Sequence, residues 1–241
     1  LIDKSPLKRA RIEGTDLVFL RELTGGIYFG KRGREDNGNT AYDTCTYTRS
    51  EVQRLAKKGF ELAMTRTKKL CCVDKANVLE TSRLWRETVQ DMEKDYPEVT
   101  VSYEFVDAVA MRLVQWPNTY DVLITENLFG DILTDEASVI SGSMGLMPSA
   151  SVGTETSLFE PIHGSYPQAA GKDIANPLAT VLSAAMMFED AFGLNEEAAL
   201  IRKVVNESLE AGFVTEDLAE GVAPQKTSAV GDWLAAKILE A

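Results

Sequence analysis

The chain has 241 residues, enough for one large or two small domains, and its 44% hydrophobic and 26% charged residues are typical of a globular protein. A net charge of −12 argues against nucleic acid and anionic membranes as partners. There is no apolar run of membrane-spanning length, no signal peptide and no zinc pattern among three cysteines and one histidine, so we expect a cytoplasmic protein without disulfides.

The first predicted strand is the apolar run 15–22, which carries Arg21 at its C-terminal end. A glycine-rich turn follows at 23–30, where glycine permits close backbone approach or a positive φ. The turn carries Tyr28, which is either a packed aromatic residue with a satisfied hydroxyl or a group with a chemical role. β-forming residues at 40–48 then predict a hairpin or an exposed arm.

Helices and strands alternate over the next segment. Apolar residues at helical spacing predict a helix over 50–67, and the apolar run 69–74 predicts a buried strand. Lys75 follows that strand. It either forms a surface ion pair with Asp74 or faces carboxylates elsewhere, where a lysine at a strand end can take part in proton transfer.

The next predicted strand is also followed by a polar residue. We expect a helix over about 81–96 and a strand over 100–106, which delivers Asp107. The segment 108–115 is expected to be helical and to end before Pro117. Asp107 therefore lies, like Lys75, just after a strand.

An acidic pair follows the next strand. The run 120–125 predicts a buried strand, and Thr125 or Asn127 can cap the helix after it. Asp131 and Asp135 are four residues apart, so both carboxylates lie on one face of that helix. The pair is either a solvated acidic face or a site for Mg²⁺ or Mn²⁺, which favour carboxylate oxygen.

Four predicted strands thus end in polar side chains. In open α/β sheets, ligands bind at the carboxyl ends of the strands. The residues expected to gather along this edge are Arg21, Lys75, Asp107, Asp131 and Asp135. This convergence, more than any single motif, favours an active site.

The region after residue 140 offers loops and helices but almost no predicted strands. A Gly/Ser-rich loop is expected over 141–150, and the only histidine, His163, lies in a second loop. Asn176 is expected to cap the first of three helices, which are predicted over about 177–192, 195–211 and 228–239. Because this region is poor in strands, we expect it to cover a sheet supplied by a further N-terminal part.

Six segments resemble the isocitrate/isopropylmalate family of β-decarboxylating dehydrogenases, and the similarity extends over essentially the whole chain. They are RELTGGIYFG at 21–30, DKANVL at 74–79, NLFGDILTD at 127–135, GLMPSAS at 145–151, EPIHGS at 160–165 and GKDIANP at 171–177. The LTGGIYFG segment is similar to the isopropylmalate branch of the family.

The resemblance implies a two-domain α/β fold, with central mixed sheets flanked by helices. Residues 1–140 would form the central substrate, metal and dimerisation domain. Residues 141–241 would form the C-terminal part of the nucleotide-binding domain, whose N-terminal part is missing from the sequence.

The resemblance also implies a reaction. Members of this branch oxidise and decarboxylate (2R,3S)-3-isopropylmalate to 2-oxoisocaproate in leucine biosynthesis, with NAD and Mg²⁺ or Mn²⁺. They are homodimers with shared active sites, without nucleic-acid or membrane partners. The partner subunit would provide Lys75 and Asp107.

Roles carry over position by position. The implied catalytic residues are Tyr28 and Lys75, and the implied substrate-binding residues are Arg21 and Asp107. The implied metal ligands are Asp107, Asp131 and Asp135. The implied NAD-binding residues are His163, Gly164, Ser165, Tyr166, Gln168, Ala175 and Asn176.

The sequence departs from the family pattern in two ways. The family's opening third, with two further substrate arginines, is absent, so we expect weak or no substrate binding and exposed apolar surface. Gln168 stands where NAD-preferring members usually carry an acidic residue, yet no cluster of Lys, Arg and Tyr replaces that residue, and we expect NAD.

Two other hypotheses remain open. One is a sister specificity for isocitrate, homoisocitrate or tartrate. The other is an inactive fragment that serves only as a dimerisation module, through the arm near Tyr42 and the helices near 108–115 and 128–144.

Overall fold

The computed structural model describes residues 5–241. The chain divides into two compact units, one of Leu7–Ala137 and the other of Ser138–Ala241 with Ser5 and Pro6. Over residues 5–241, no helix is both long and apolar enough to cross a bilayer.

The first unit is built around a parallel sheet. Its four strands are hydrogen-bonded in the order β1 (Val18–Arg21), β6 (Val122–Thr125), β4 (Lys69–Asp74) and β5 (Thr100–Phe105). A separate antiparallel pair, β2 (Arg32–Glu35) with β3 (Thr40–Asp43), includes only the first part of the hairpin or arm predicted over 40–48. Where the resemblance implied mixed sheets, the parallel and antiparallel pairs of this unit lie in separate sheets. The elements are α1 (Arg9–Ile12), β1 (Val18–Arg21), β2 (Arg32–Glu35), β3 (Thr40–Asp43), α2 (Arg49–Thr65), β4 (Lys69–Asp74), α3 (Glu80–Glu93), β5 (Thr100–Phe105), α4 (Val106–Gln115), β6 (Val122–Thr125) and α5 (Asn127–Ser141), whose last turn falls in the second unit.

Helix α2 shows how local sequence produces the packing. Thr48 and Glu51 form a capping box, in which each side chain satisfies a backbone N–H at the start of the helix. The predicted apolar face is buried, with Val52, Ala56 and Phe60 fully inaccessible to solvent. Burying the Phe60 ring stabilises the fold by about 2–3 kcal/mol.

A buried carboxylate joins β6 to the end of α2. Asp121 accepts hydrogen bonds from Arg66 Nε at 2.6 Å and from the Thr67 backbone N–H at 2.8 Å. Burial alone would raise the pKa of Asp121, but the hydrogen bonds from Thr67 and Arg66 outweigh it and hold the pKa below its ordinary value. Arg66 also reaches the exposed Asp16 at 2.9 Å.

The second unit contains two strands where loops were predicted. Strands β7 (Pro148–Val152) and β8 (Ser157–Pro161) pair antiparallel, with Ala150 opposite Phe159, so the loop expectation at 141–150 was wrong for its last three residues. Small and polar residues in β7 hide the alternation that marks a half-buried strand. Helices α6 (Leu178–Phe192), α7 (Asn195–Glu210) and α8 (Thr227–Glu240) complete the unit around an apolar core.

Candidate active site at the carboxyl ends of the parallel strands

The parallel sheet brings the predicted strand ends to one edge. β1 pairs with β6 so that Arg21 lies opposite Thr125, and β4 pairs with β5 so that Asp74 lies opposite Phe105. Parallel strands have their carboxyl ends on the same side of the sheet, where open α/β sheets bind ligands. The polar residues that follow each strand therefore lie along this edge.

Arg21, Tyr28, Asn127 and Asp131 form one group, which we call the arginine cluster. Arg21 Nη1 donates to Asp131 Oδ1 at 2.6 Å, and the Tyr28 hydroxyl donates to Asp131 Oδ2 at 2.7 Å. The guanidinium carbon of Arg21 lies 5.7 Å from the centre of the Tyr28 ring. The carboxylate of Asp131 is thus held on one side by a cation and on the other by a phenol.

Tyr28 is an exposed hydroxyl donor and not a packed aromatic residue. Its side chain is 38% exposed. Because the hydroxyl donates to Asp131, the pKa of Tyr28 lies above its ordinary value of 10.0. The phenol therefore keeps its proton at neutral pH and has one to give.

The glycine-rich turn is fixed by a buried carboxylate. Glu22, only 4% exposed, accepts hydrogen bonds from the backbone N–H groups of Thr24 and Gly25 at 2.7–3.0 Å. Gly26 has φ of +75°, and a Cβ there would lie 2.3 Å from the hydroxyl oxygen of Tyr47. Only glycine suits this backbone and this space, so the turn holds Tyr28 in place.

The start of α5 is capped by Glu126 and not by Thr125 or Asn127. The Phe129 backbone N–H donates to Glu126 Oε1 at 2.6 Å, and the Tyr47 hydroxyl donates to Glu126 Oε2 at 3.1 Å. This frees the Asn127 side chain to face Arg21. Asn127, Glu126 and Tyr47 were not predicted as site residues, because no motif spacing indicates their contacts.

Lys75 and Asp107 form a second group. The Lys75 ammonium donates to Asp107 Oδ1, and this hydrogen bond holds the pKa of Asp107 below its ordinary value. The alternative surface pair of Lys75 with Asp74 is not formed. Asp74 is 1% exposed and accepts a two-point hydrogen bond from Arg86, at 2.8 and 3.0 Å.

The two groups lie over different strands of the edge. The arginine cluster stands over β1 and β6, and the Lys75–Asp107 pair stands over β4 and β5, so about 10 Å of sheet separates them at ordinary strand spacing. Asp135 follows Asp131 by one helical turn on α5. Among residues 5–241, no group of three or more His, Cys, Asp or Glu side chains is close enough to hold a metal ion.

The predicted NAD-binding residues lie in the second unit. His163, Gly164, Ser165 and Tyr166 follow β8, and Gln168 lies in a short 3₁₀ turn. Tyr166 has φ of +45° and is 55% exposed.

The rest of this loop is fastened to the start of α8. Thr227 donates to the Ala175 carbonyl at 2.6 Å, and the Ser228 hydroxyl donates to the Asp173 carboxylate at 2.6 Å. The Ser228 backbone N–H also donates to Asp173, at 2.9 Å, and the two hydrogen bonds from Ser228 hold the pKa of Asp173 below its ordinary value of 3.8. The loop therefore has a fixed conformation.

Helix α6 begins at Leu178, one residue later than predicted, so the N-cap position falls on Pro177 and not on the predicted Asn176. Asn176 Oδ1 accepts the Leu178 backbone N–H at 2.9 Å, and its Nδ2 donates to Asp217 Oδ2 at 2.9 Å. Asp217 also accepts hydrogen bonds from Ser143 and Thr215, both at 2.6 Å. A carboxylate thus lies directly beside the predicted cofactor residue Asn176.

Comparison with known proteins shows which family the sequence resembles. The sequence pattern of the family described as "Isocitrate/isopropylmalate dehydrogenase" matches residues 1–234. The chain is 56% identical over 235 residues to the 3-isopropylmalate dehydrogenase of Bacteroides fragilis strain YCH46, and this covers 97% of the chain and 66% of that protein. It is 53% identical to the 3-isopropylmalate dehydrogenase of Desulfitobacterium hafniense strain Y51, with 91% and 62% covered.

A solved structure shares the fold. The isocitrate dehydrogenase of Methylococcus capsulatus superimposes with a TM-score of 0.87 at 37% identity, covering 94% of this chain and 70% of that one. The chain spans a little under two thirds of the length of the two 3-isopropylmalate dehydrogenases, from Bacteroides fragilis and Desulfitobacterium hafniense.

Proposed function

Because the chain belongs to the isocitrate/isopropylmalate dehydrogenase family, we propose that it takes part in the NAD-dependent oxidative decarboxylation of (2R,3S)-3-isopropylmalate to 2-oxoisocaproate and CO₂, a step of leucine biosynthesis in the cytoplasm. The observation that carries the proposal is the arginine cluster, in which a cation, a phenol and a carboxylate meet at the sheet edge. The 51–56% identity to 3-isopropylmalate dehydrogenases favours this substrate.

Arg21 would bind the malate carboxylate. A guanidinium has five N–H donors. Three of them are used within the cluster, by Asn127 and Asp131, and one N–H remains on each terminal nitrogen. These two remaining donors can hydrogen-bond the oxygens of a carboxylate.

Asp131 and Asp135 would hold Mg²⁺ or Mn²⁺ together with Asp107 of a second copy. The donor set fits, because both cations favour carboxylate oxygen and Asp131 uses only part of its acceptor capacity on Arg21 and Tyr28. When bound, such a cation acts as a Lewis acid toward the substrate oxygen. The separation of the Lys75–Asp107 pair from the cluster supports a site completed by a second copy.

The proton steps would fall to Lys75 and Tyr28. Lys75 of the second copy, in its neutral amine form, would take the proton of the substrate hydroxyl, and NAD when bound would supply the hydride acceptor. Tyr28, whose pKa is raised by its hydrogen bond to Asp131, holds a proton at neutral pH and would give it to the enolate carbon after CO₂ departs.

The loop at 163–176 would bind the adenosine half of the cofactor. It is fastened at Asp173 and Ala175, so it needs little ordering on binding. The Asp217 carboxylate, hydrogen-bonded to Asn176, adds negative charge at one end of this loop, and we count this in favour of NAD over NADP although Gln168 replaces an acidic residue.

A homodimer would complete the site. Apolar side chains on α4 and α5 are exposed, with Met111 at 59%, Val114 at 46% and Ile132 at 56%. Such a surface favours burial against another copy.

The direct test is NADH formation by the 241-residue chain with NAD⁺, Mn²⁺ and 3-isopropylmalate, with 2-oxoisocaproate identified by mass spectrometry. Because weak substrate binding is expected, turnover should be slow. It should nevertheless be faster with 3-isopropylmalate than with isocitrate, homoisocitrate or tartrate, and faster with NAD⁺ than with NADP⁺. Asp131→Asn should abolish turnover, and the exposed control Asp16→Asn should leave it unchanged. Turnover that persists in Asp131→Asn contradicts the proposal.

A further inference from the structure

The Asn127 side chain is buried and uses both ends of its amide. The residue is 2% exposed. Its Oδ1 accepts from Arg21 Nη2 at 2.8 Å and from Arg21 Nε at 3.2 Å. Its Nδ2 donates to the carbonyl of Gly25, in the glycine-rich turn, at 3.1 Å. One amide therefore links the turn, the end of β1 and the start of α5.

The contact determines which face of Arg21 is offered to a ligand. Asn127 occupies the edge of the guanidinium formed by Nε and Nη2, and Asp131 takes one N–H of Nη1. Without Asn127, that edge loses both of its hydrogen bonds, and only the single bond from Nη1 to Asp131 still holds the guanidinium. Asn127 thus keeps Arg21 in one orientation.

The position of Asn127 is itself well fixed. Its backbone N–H donates to the Tyr47 hydroxyl at 2.9 Å, and Tyr47 in turn donates to the capping carboxylate of Glu126. Tyr47 is 6% exposed and packs edge-on against the ring of Trp85, with centroids 5.5 Å apart. A rigid core therefore holds the amide that orients Arg21.

We propose that Asn127 is a positioning residue, which aims the free N–H pair of Arg21 at the substrate carboxylate. This inference rests on the proposed function for its consequence in catalysis, but the geometry of Arg21 can be tested without turnover. Asn127 is buried and acts through Arg21, so its loss should affect binding more than the chemical step.

The first arm of the test is nuclear magnetic resonance of the ¹⁵N-arginine-labelled chain. Guanidinium nitrogens held by hydrogen bonds rotate slowly and give separate Nη signals. The Arg21 signals are assigned by their loss in Arg21→Lys. We expect them to be resolved in the wild type, lost in Asn127→Ala, and retained in Asp121→Asn, which damages the opposite end of β6 without touching Arg21.

The second arm is steady-state kinetics with 3-isopropylmalate. Asn127→Ala should raise KM about ten-fold and change kcat less than about three-fold, because it removes an interaction that binds ground state and transition state alike. Asn127→Asp keeps the acceptor for Arg21 and should restore part of the loss. If the alanine variant does not fold, Asn127→Ser, whose hydroxyl is too short to span Arg21 and Gly25, replaces it in both arms.

The outcomes separate the two proposals. Resolved Arg21 signals that persist in Asn127→Ala, or in Asn127→Ser where that variant stands in, overturn the positioning role. A loss of kcat of about ten-fold at unchanged KM also overturns it. The wild type can show resolved Arg21 signals that the variant loses and still have no dehydrogenase activity. That result supports the Arg21 geometry and refutes the proposed function.

Discussion

Replacing Gly130 by alanine should destabilise the first unit, although alanine is the better helix former. Gly130 lies in the second turn of α5. A Cβ built there would lie 2.4 Å from Thr125 Oγ1 and 2.6 Å from Arg21 Cγ. Both distances are shorter than any real Cβ contact, so either β6 or the stem of Arg21 must move.

The opposing effects can be compared. Alanine in place of glycine favours a helix by about 1 kcal/mol. Overpacking costs about 1–3 kcal/mol. Moving Arg21 also strains its charged hydrogen bonds to Asn127 and Asp131, each worth about 1.5 kcal/mol or more. We expect a net destabilisation of about 1–3 kcal/mol, with a raised KM for the substrate.

Hydrogen exchange measured by mass spectrometry across a urea series gives the free energy of unfolding for peptides of each unit separately. Gly231→Ala in α8 is the matched control, since a Cβ there meets nothing within 4 Å. It should stabilise the second unit by about 0.5–1 kcal/mol. If Gly130→Ala is as stabilising as Gly231→Ala, the close packing of α5 on Arg21 and Thr125 is refuted.

Two further predictions concern charged groups that hold the fold. Asp121→Asn should lower the free energy of unfolding, measured in urea, by about 3 kcal/mol because it leaves Arg66 without its buried partner. Asp16→Asn removes the exposed partner of Arg66 and should lower it by less than about 1 kcal/mol. Equal effects of the two variants would contradict the difference in burial. The folded pKa of Asp173 lies below its unfolded value of about 3.8. Its contribution to the free energy of unfolding is therefore fully present above the unfolded pKa and is lost as the pH falls through the folded pKa. Thermal melts of wild type and Ser228→Ala should therefore differ at pH 7 and converge as the pH falls through the folded pKa of Asp173, and a constant difference would contradict the linkage.

The strand ends were predictable because apolar runs and the polar residues after them are local features. Arg21 ends one short β-forming run, Lys75 and Asp107 follow two others, and parallel strands share an edge. The order of the strands is not local. Because β6 lies between β1 and β4, Asp131 meets Arg21, and Lys75 is left to pair with Asp107.

The supporting residues could not be predicted for the same reason. Asn127 and Arg21 are 106 positions apart, and nothing in either segment shows that one amide joins them. Tyr47 was part of a predicted arm, yet its hydroxyl links Glu126 to Asn127 inside the core. The expected roles of the site residues came from the family resemblance and stay predictions.

The central claim is that two copies of the chain share each site, and mixing two variants tests it most directly. Asp131→Asn damages the arginine cluster, and Lys75→Ala damages the second group. Each variant alone should be inactive, while an equimolar mixture that exchanges subunits should recover about a quarter of wild-type NADH formation, because half the dimers are mixed and each holds one intact site. A mixture that exchanges subunits and stays inactive beside an active wild type would contradict the shared site, and an inactive wild type would contradict the dehydrogenase proposal itself.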